Sequence, residues 1–201
     1  MRLVAMLLLA LISGGLSRAQ TAAPVVVVFE TDKGAIEIEI DVARAPITAA
    51  NFLKYVDGGF YDGGRFHRTV RPDTETNKDV PIQVIQASRA RGRQGFPAIV
   101  LERTSETKLS HKDGVVSMAR SAQADSAASD FFICIGDQPS LDYGGKRNPD
   151  GQGFAAFGRV VRGMDVVKAI QASPVREKSQ NLDPAIGIVK AGRKTPGVVS
   201  R

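Results

Sequence analysis

The sequence predicts a mainly β protein, a closed antiparallel barrel plugged by two α-helices. Many short apolar or alternating segments run along the chain, separated by turns drawn from twenty glycines and ten prolines. Only two stretches carry helical spacing, one in each half. Helices so placed do not build the strand–helix alternation of a parallel sheet, and closing a barrel removes the strand edges that invite aggregation.

The elements follow in order. Residues 25–30 are a continuous β-branched run. Residues 34–40 alternate Ile36, Ile38 and Ile40 with Glu37 and Glu39, the period-two pattern of a strand with one wet face. Thr31-Asp32-Lys33-Gly34 supplies the hairpin turn between them. Thr48 is placed to cap a helix running to Val56, with Ala49, Phe52, Leu53 and Val56 on one face, and Gly58-Gly59 stops it. Further strands are expected at 65–70, 82–86, 98–101, 114–118, 130–135, 154–160 and 185–189. A second helix, 164–170, ends before Pro174. One domain, 25–192, therefore follows a leader at 1–19 and a linker at 20–24, and a polar, mobile tail is expected at 193–201.

Composition narrows the chemistry. The 201 residues are 43% hydrophobic and 24% charged, ordinary for a chain that buries one core. A single cysteine, Cys134, excludes an intrachain disulfide and cysteine-based metal clusters, and its Phe-Phe-Ile-Cys-Ile context marks a buried strand residue. With only His67 and His111 as histidines, no metal site is expected. The net charge of +6 is scattered except at Arg89, Arg91 and Arg93. Basic residues without stacking aromatics read as a solvated loop, and no nucleic-acid partner is expected.

The first residues have the organisation of a secretory signal peptide. Arg2 precedes an apolar run from Leu3 to Leu16, and Ser17-Arg18-Ala19 offers small residues around a cleavage site. The run is shorter than the ~20 residues of a membrane span. The mature chain is expected to begin at Gln20, to leave the membrane after cleavage, and to be periplasmic or secreted.

Two short motifs fail on context. Gly151-Gln-Gly153-Phe-Ala-Ala156 matches a dinucleotide fingerprint but opens a strand rather than a helix. Ser105-Glu-Thr-Lys108 has none of the companion elements of a serine acyl-transfer site.

Five segments remain: Asn51-Phe52; Phe66-His67-Arg68; Ser117-Met118-Ala119-Arg120; Ser129-Asp130-Phe131-Phe132-Ile133; and Phe157-Gly158-Arg159-Val160. Each alone reads as core or as a strand with a snorkelling arginine. Together and in this order they resemble the cyclophilin-type peptidyl-prolyl isomerases, particularly an exported bacterial branch, over residues 25 to about 192. The resemblance implies an eight-stranded antiparallel barrel capped by two helices. It implies an enzyme that isomerises X–Pro bonds in proline-containing polypeptides as a monomer, without cofactor. Arg68 matches the catalytic arginine, with Gln86 beside it. Phe132 and Leu141 match walls of the proline pocket, where Val84 replaces a usual methionine. Ala119 and Arg120 match the segment that grips the substrate chain. Phe66, His67, Met118, Asp130 and Phe154 complete the implied binding set.

Departures from the family pattern are specific. The Arg68-to-Gln86 spacing is about ten residues longer, so a loop at 71–81 is expected to border the groove. Gln83, Ala87, Ser140 and Phe154 replace other usual residues, and Asp130 stands where a neutral glutamine is usual. A carboxylate at 130 is expected to contact Arg68 in part and to slow the reaction. The alternatives are a barrel that only grips proline segments, as a chaperone does, and a basic surface that binds anionic polymers through Arg89–Arg93.

Overall fold

The computed structural model describes residues 24–195; the leader, nearly all of the linker, the cleavage site and residues 196–201 lie outside the described residues. β1 (Val25–Thr31) and β2 (Gly34–Ile40) form the expected hairpin. Its register sets Val27 opposite Ile38 and Phe29 opposite Ile36, and all four are buried on one face. The other strands are β3 (Arg65–Val70), β4 (Val84–Ser88), β5 (Val115–Met118), β6 (Phe131–Cys134), β7 (Ala156–Arg162) and β8 (Asn181–Arg193). Every pairing is antiparallel, and the order β1-β2-β7-β5-β6-β4-β3-β8 closes because β1 pairs with both β2 and β8.

Among the described residues three helices accompany the barrel: α1 (Pro46–Asp57), the single turn α2 (Thr104–Thr107), and α3 (Met164–Gln171). α1 follows the end of β2, whereas Val166 of α3 packs against Gly34 at its start. The two long helices therefore stop opposite mouths of the barrel. From α1, Phe52 enters a cluster of rings: its centroid lies 4.7 Å from Phe157, 5.5 Å from Phe131 and 5.5 Å from Tyr61. Truncating one such fully buried ring costs about 3–5 kcal/mol.

Several expectations are corrected. Thr48 does not cap α1; it lies within the helix, buried, and its Oγ1 has no partner. The N-terminal turn is capped from a distance. The Glu102 carboxylate accepts the backbone N–H groups of Ile47 at 3.0 Å and Thr48 at 2.7 Å, where an anion also meets the positive end of the helix dipole. Residues 98–101 are not a strand; only Ile99 makes an isolated bridge, to Ala127. α2 is a third helix where two were expected. β7 starts at Ala156, because Phe154 folds over the outside of the barrel instead of joining the sheet. β8 extends to Arg193, and the tail residues Arg193 and Lys194 are held by ion pairs of 2.7 Å with Asp57 and Glu37. No helix among the described residues is long and apolar enough to cross a membrane.

Candidate active site

The site grows from one cross-strand row. β3, β4, β6 and β5 lie side by side, and their register aligns Arg68, Gln86, Phe132 and Ser117. Residues directly opposite in an antiparallel sheet share a face. Here that face is the outer wall, because Ile85, Phe131, Ile133 and Val116, one step along, fill the barrel core.

Arg68 reaches that wall through a bulge. Strict alternation from buried Phe66 would turn Arg68 inward as well. Between them the pairing slips: Phe66 stands opposite Ala87, but Arg68 stands opposite Gln86. The extra residue is His67, and such a bulge re-aims the side chain that follows it.

The guanidinium is then fixed from two sides. Arg68 Nη1 donates to Gln86 Oε1 at 2.9 Å, while Nε and Nη2 donate to Gln180 Oε1 at 2.9 and 2.7 Å. Gln180 is itself oriented by donating Nε2 to the Thr74 carbonyl at 3.1 Å. These contacts occupy fewer N–H donors than a guanidinium carries, so Arg68 retains donors for a substrate atom. Burial and nearby Arg147 lower its pKa, and Glu75 opposes them. An arginine starts so high that it stays charged at any physiological pH.

Beside Arg68 lies a second apolar cluster, outside the barrel, of Val70, Ile82, Val84, Phe132, Cys134 and Leu141, with Ala119 and Phe154 packed against it. Phe132 and Phe154 meet edge to face at 5.5 Å and 87°. Leu141 arrives on a 3-10 turn, Pro139–Leu141, and its carbonyl accepts the Phe154 N–H at 3.0 Å. Burial pushes the Cys134 thiol pKa up, consistent with an inert core thiol.

Beneath Phe132 lies a polar floor. The His111 ring stacks on it at 6.0 Å and 17°. His111 Nδ1 bonds Asp142 Oδ1 at 2.7 Å, and Nε2 bonds Ser117 Oγ at 3.0 Å. The order serine–histidine–carboxylate resembles a hydrolytic triad. However, Ser117 and His111 are 0% and 1% exposed, so no substrate carbonyl reaches the hydroxyl. The chain of bonds instead fixes the ring that Phe132 rests on. Burial works to raise the Asp142 pKa, but bonds from the His111 ring and backbone hold it below the usual value.

The remaining expected residues divide. Ala119 packs on the outer apolar cluster, and its N–H donates to the Asp130 carbonyl at 2.8 Å. The side chain of Arg120 is buried, not solvated. It donates to the Gly153 carbonyl at 2.8 Å and to Asp150 at 2.8 Å, and lies 5.1 Å over the Phe154 ring. It thereby braces a pocket wall. Phe66 and Met118 are corrections: at 0% and 1% exposure they belong to the barrel core and reach no groove. The expected Asp130–Arg68 contact is also absent. Asp130 Oδ1 accepts from Ser129 Oγ at 3.2 Å, whereas Arg68 and Arg120 are engaged elsewhere. His67, half-buried, faces Asp130 across a separate cavity, and burial lowers its pKa against that carboxylate.

The 71–81 loop is built into the site. Buried Glu75 accepts N–H groups of Asn77 at 2.8 Å and Ile82 at 3.0 Å and pairs with Arg147 at 2.9 Å. Arg147 also donates to the Val80 carbonyl at 2.7 Å. Sequence reasoning missed Gln180, Glu75 and Arg147, and considered His111 only as a metal ligand. Among the described residues, no three His, Cys, Asp or Glu side chains are grouped to hold a metal.

Comparison with known proteins gives a consistent result. The family described as Cyclophilin type peptidyl-prolyl cis-trans isomerase/CLD matches residues 26–193. The chain is 33% identical over 162 residues to peptidyl-prolyl cis-trans isomerase A of Dickeya dadantii, covering 79% of this chain and 75% of that one. It is 34% identical to a peptidyl-prolyl cis-trans isomerase of Acinetobacter baylyi, covering 82% of each. Its fold superposes on a Cryptosporidium parvum cyclophilin type isomerase, solved in the presence of the dipeptide Ala-Pro, with a TM-score of 0.67. That match has 20% identity and covers 85% of this chain and 99% of the other.

Proposed function

The chain belongs to the cyclophilin-type peptidyl-prolyl cis-trans isomerase family, and we propose that it isomerises X–Pro bonds in exported polypeptides, with Arg68 as the catalytic residue. The observation that carries this reading is a guanidinium fixed by Gln86 and Gln180 beside the outer apolar cluster that contains Val84, Phe132 and Leu141.

The chemistry needs no broken bond. Amide resonance holds an X–Pro bond behind a barrier of about 18–20 kcal/mol. Twisting the bond returns a lone pair to the prolyl nitrogen, which the planar ground state does not offer. A donor at that nitrogen therefore binds the transition state in preference to the substrate. The apolar pocket holds the proline ring while the preceding residue rotates. Magnitude divides the work: a ~10⁵-fold acceleration needs about 7 kcal/mol, and one fixed charged donor supplies about 3–4 kcal/mol. The pocket must provide the remainder by favouring the twisted form.

The fixing bonds also speak against a barrel that merely grips proline segments, since gripping does not require an oriented guanidinium. Exchange spectroscopy on a short proline peptide tests the activity: micromolar protein accelerates cis–trans exchange if the reading holds and leaves it unchanged if it does not. The assignment to exported clients rests on the signal-peptide pattern of residues 1–19. It predicts an exported protein whose intact mass begins at Gln20; a mass retaining the leader contradicts it.

A further inference from the structure

Next to the proposed groove lies a cavity of about 820 Å³ that the mechanism does not use. Among the described residues its wall carries Arg65, Arg89, Arg91 and Arg176, against two carboxylates, Asp130 and Asp183. Asp183 is already engaged, 3.8 Å from Arg176. Arg89 spends its Nη1 on the carbonyls of Ala90 and Arg93, which shapes the loop but leaves its charge uncompensated. Arg65 and Arg91 have no ion-pair partner among the described residues. The cavity therefore presents an excess of positive charge within one concave wall, the arrangement that focuses a field on an anion.

Its position links it to the reaction. His67, the bulge residue beside Arg68, and Asn181, which pairs with Arg68 on β8, both line it. Asp130 and Ser129 line both this cavity and a smaller one lined by Gln86, Ala119 and Arg120. An extended chain advances about 3.3 Å per residue, and the cavity begins at the residues adjoining Arg68, so it is within reach of a polypeptide seated there a few residues from its proline.

We propose that this basic cavity is a substrate subsite for the carboxylate side chains of Asp or Glu flanking the proline, and that it makes the enzyme favour acidic segments. The proposal rests on the isomerase reading and adds substrate selection to it. Arginine suits the task because its planar fork accepts a carboxylate in two parallel bonds. A nucleic acid is the less favoured occupant, since the described wall carries no Phe, Tyr or Trp on which bases could stack and its one imidazole, His67, is half-buried.

The test is a matched series of proline peptides carrying Glu, Gln or Lys two to four residues to either side of the proline, with kcat/KM read by exchange spectroscopy. For at least one flank the Glu peptide should exceed the Gln peptide by about three- to tenfold at low ionic strength, and Lys should fall below Gln. The advantage should shrink toward parity at about 0.5 M salt, as expected of solvent-accessible charge pairs. It should also collapse in Arg91→Glu and in Arg176→Glu, both exposed positions, with circular dichroism confirming the fold. Equal rates for Glu, Gln and Lys peptides, with isomerase activity present, overturn the subsite alone. Absence of activity on every peptide instead overturns the isomerase reading on which it rests. A single-stranded oligonucleotide that displaces the Glu peptide at 0.15 M salt and lower concentration overturns the acidic-peptide assignment.

Discussion

Removing Gln180 isolates the contribution of orienting Arg68. Its Oε1 takes two of the three bonds that hold the guanidinium, at 2.9 and 2.7 Å, and its Nε2 fixes the amide against Thr74. Hydrogen bonds to a charged group contribute about 1.5–3 kcal/mol each. In Gln180→Ala the Gln86 bond survives and water recovers part of the loss at this half-buried position. About 1–2 kcal/mol of transition-state stabilisation should therefore disappear, roughly a 5- to 30-fold fall in kcat/KM, carried mainly by kcat. Melting should move little, because no core packing is lost. The decisive assay is a double-mutant cycle with Arg68→Ala. If Gln180 acts through Arg68, its removal costs nothing further in the Arg68→Ala background. An unchanged kcat/KM in Gln180→Ala, or an equal loss in both backgrounds, refutes the positioning role.

Two further substitutions probe the pocket. His111→Ala removes the ring under Phe132 and strands the buried Ser117 hydroxyl; it should cost about 3–5 kcal/mol of stability in urea unfolding, and a loss below about 1 kcal/mol would contradict the supporting role. Asp130→Gln should leave kcat/KM on an uncharged peptide within about twofold, since Asp130 touches neither Arg68 nor Arg120; a tenfold change either way would show that its charge reaches the reacting bond.

What the sequence reveals tracks how local each determinant is. The β1–β2 hairpin is legible because alternation and turn residues lie within one short segment. The end of α1 is legible because Gly59 adopts φ +64°, a conformation glycine favours. Its start misleads, because Thr48 looks like a cap while the real capping group, Glu102, lies 54 residues away in sequence from Thr48. Residues 98–101 have strand-like composition but meet only one bridging partner, and composition cannot report a missing neighbour. β8 is longer than it reads because Pro184 looks like a breaker at its start and residues 190–193 read as the beginning of a polar tail.

The candidate site divides in the same way. Arg68, Gln86, Phe132 and Leu141 are recognisable from ordered motifs, and the register brings Arg68, Gln86 and Phe132 into one row. Gln180 is separated from Arg68 by 112 positions and sits in no motif that marks it. Phe66 and Met118 sit beside functional positions in the chain but alternate into the core. Motif membership does not say which way a strand residue points.

The central claim is that the Arg68 guanidinium donates to the prolyl nitrogen as the amide twists. The most direct measurement is kcat/KM for Arg68→Ala and Arg68→Lys on one proline peptide, with folding checked by circular dichroism. Arg68→Ala should lose at least about tenfold, approaching 10²–10³-fold if the full ~3–4 kcal/mol of a fixed charged donor is removed. Arg68→Lys should recover little, because an ammonium cannot reproduce the planar fork that Gln86 and Gln180 hold. A folded Arg68→Ala protein within twofold of the original rate would contradict the account.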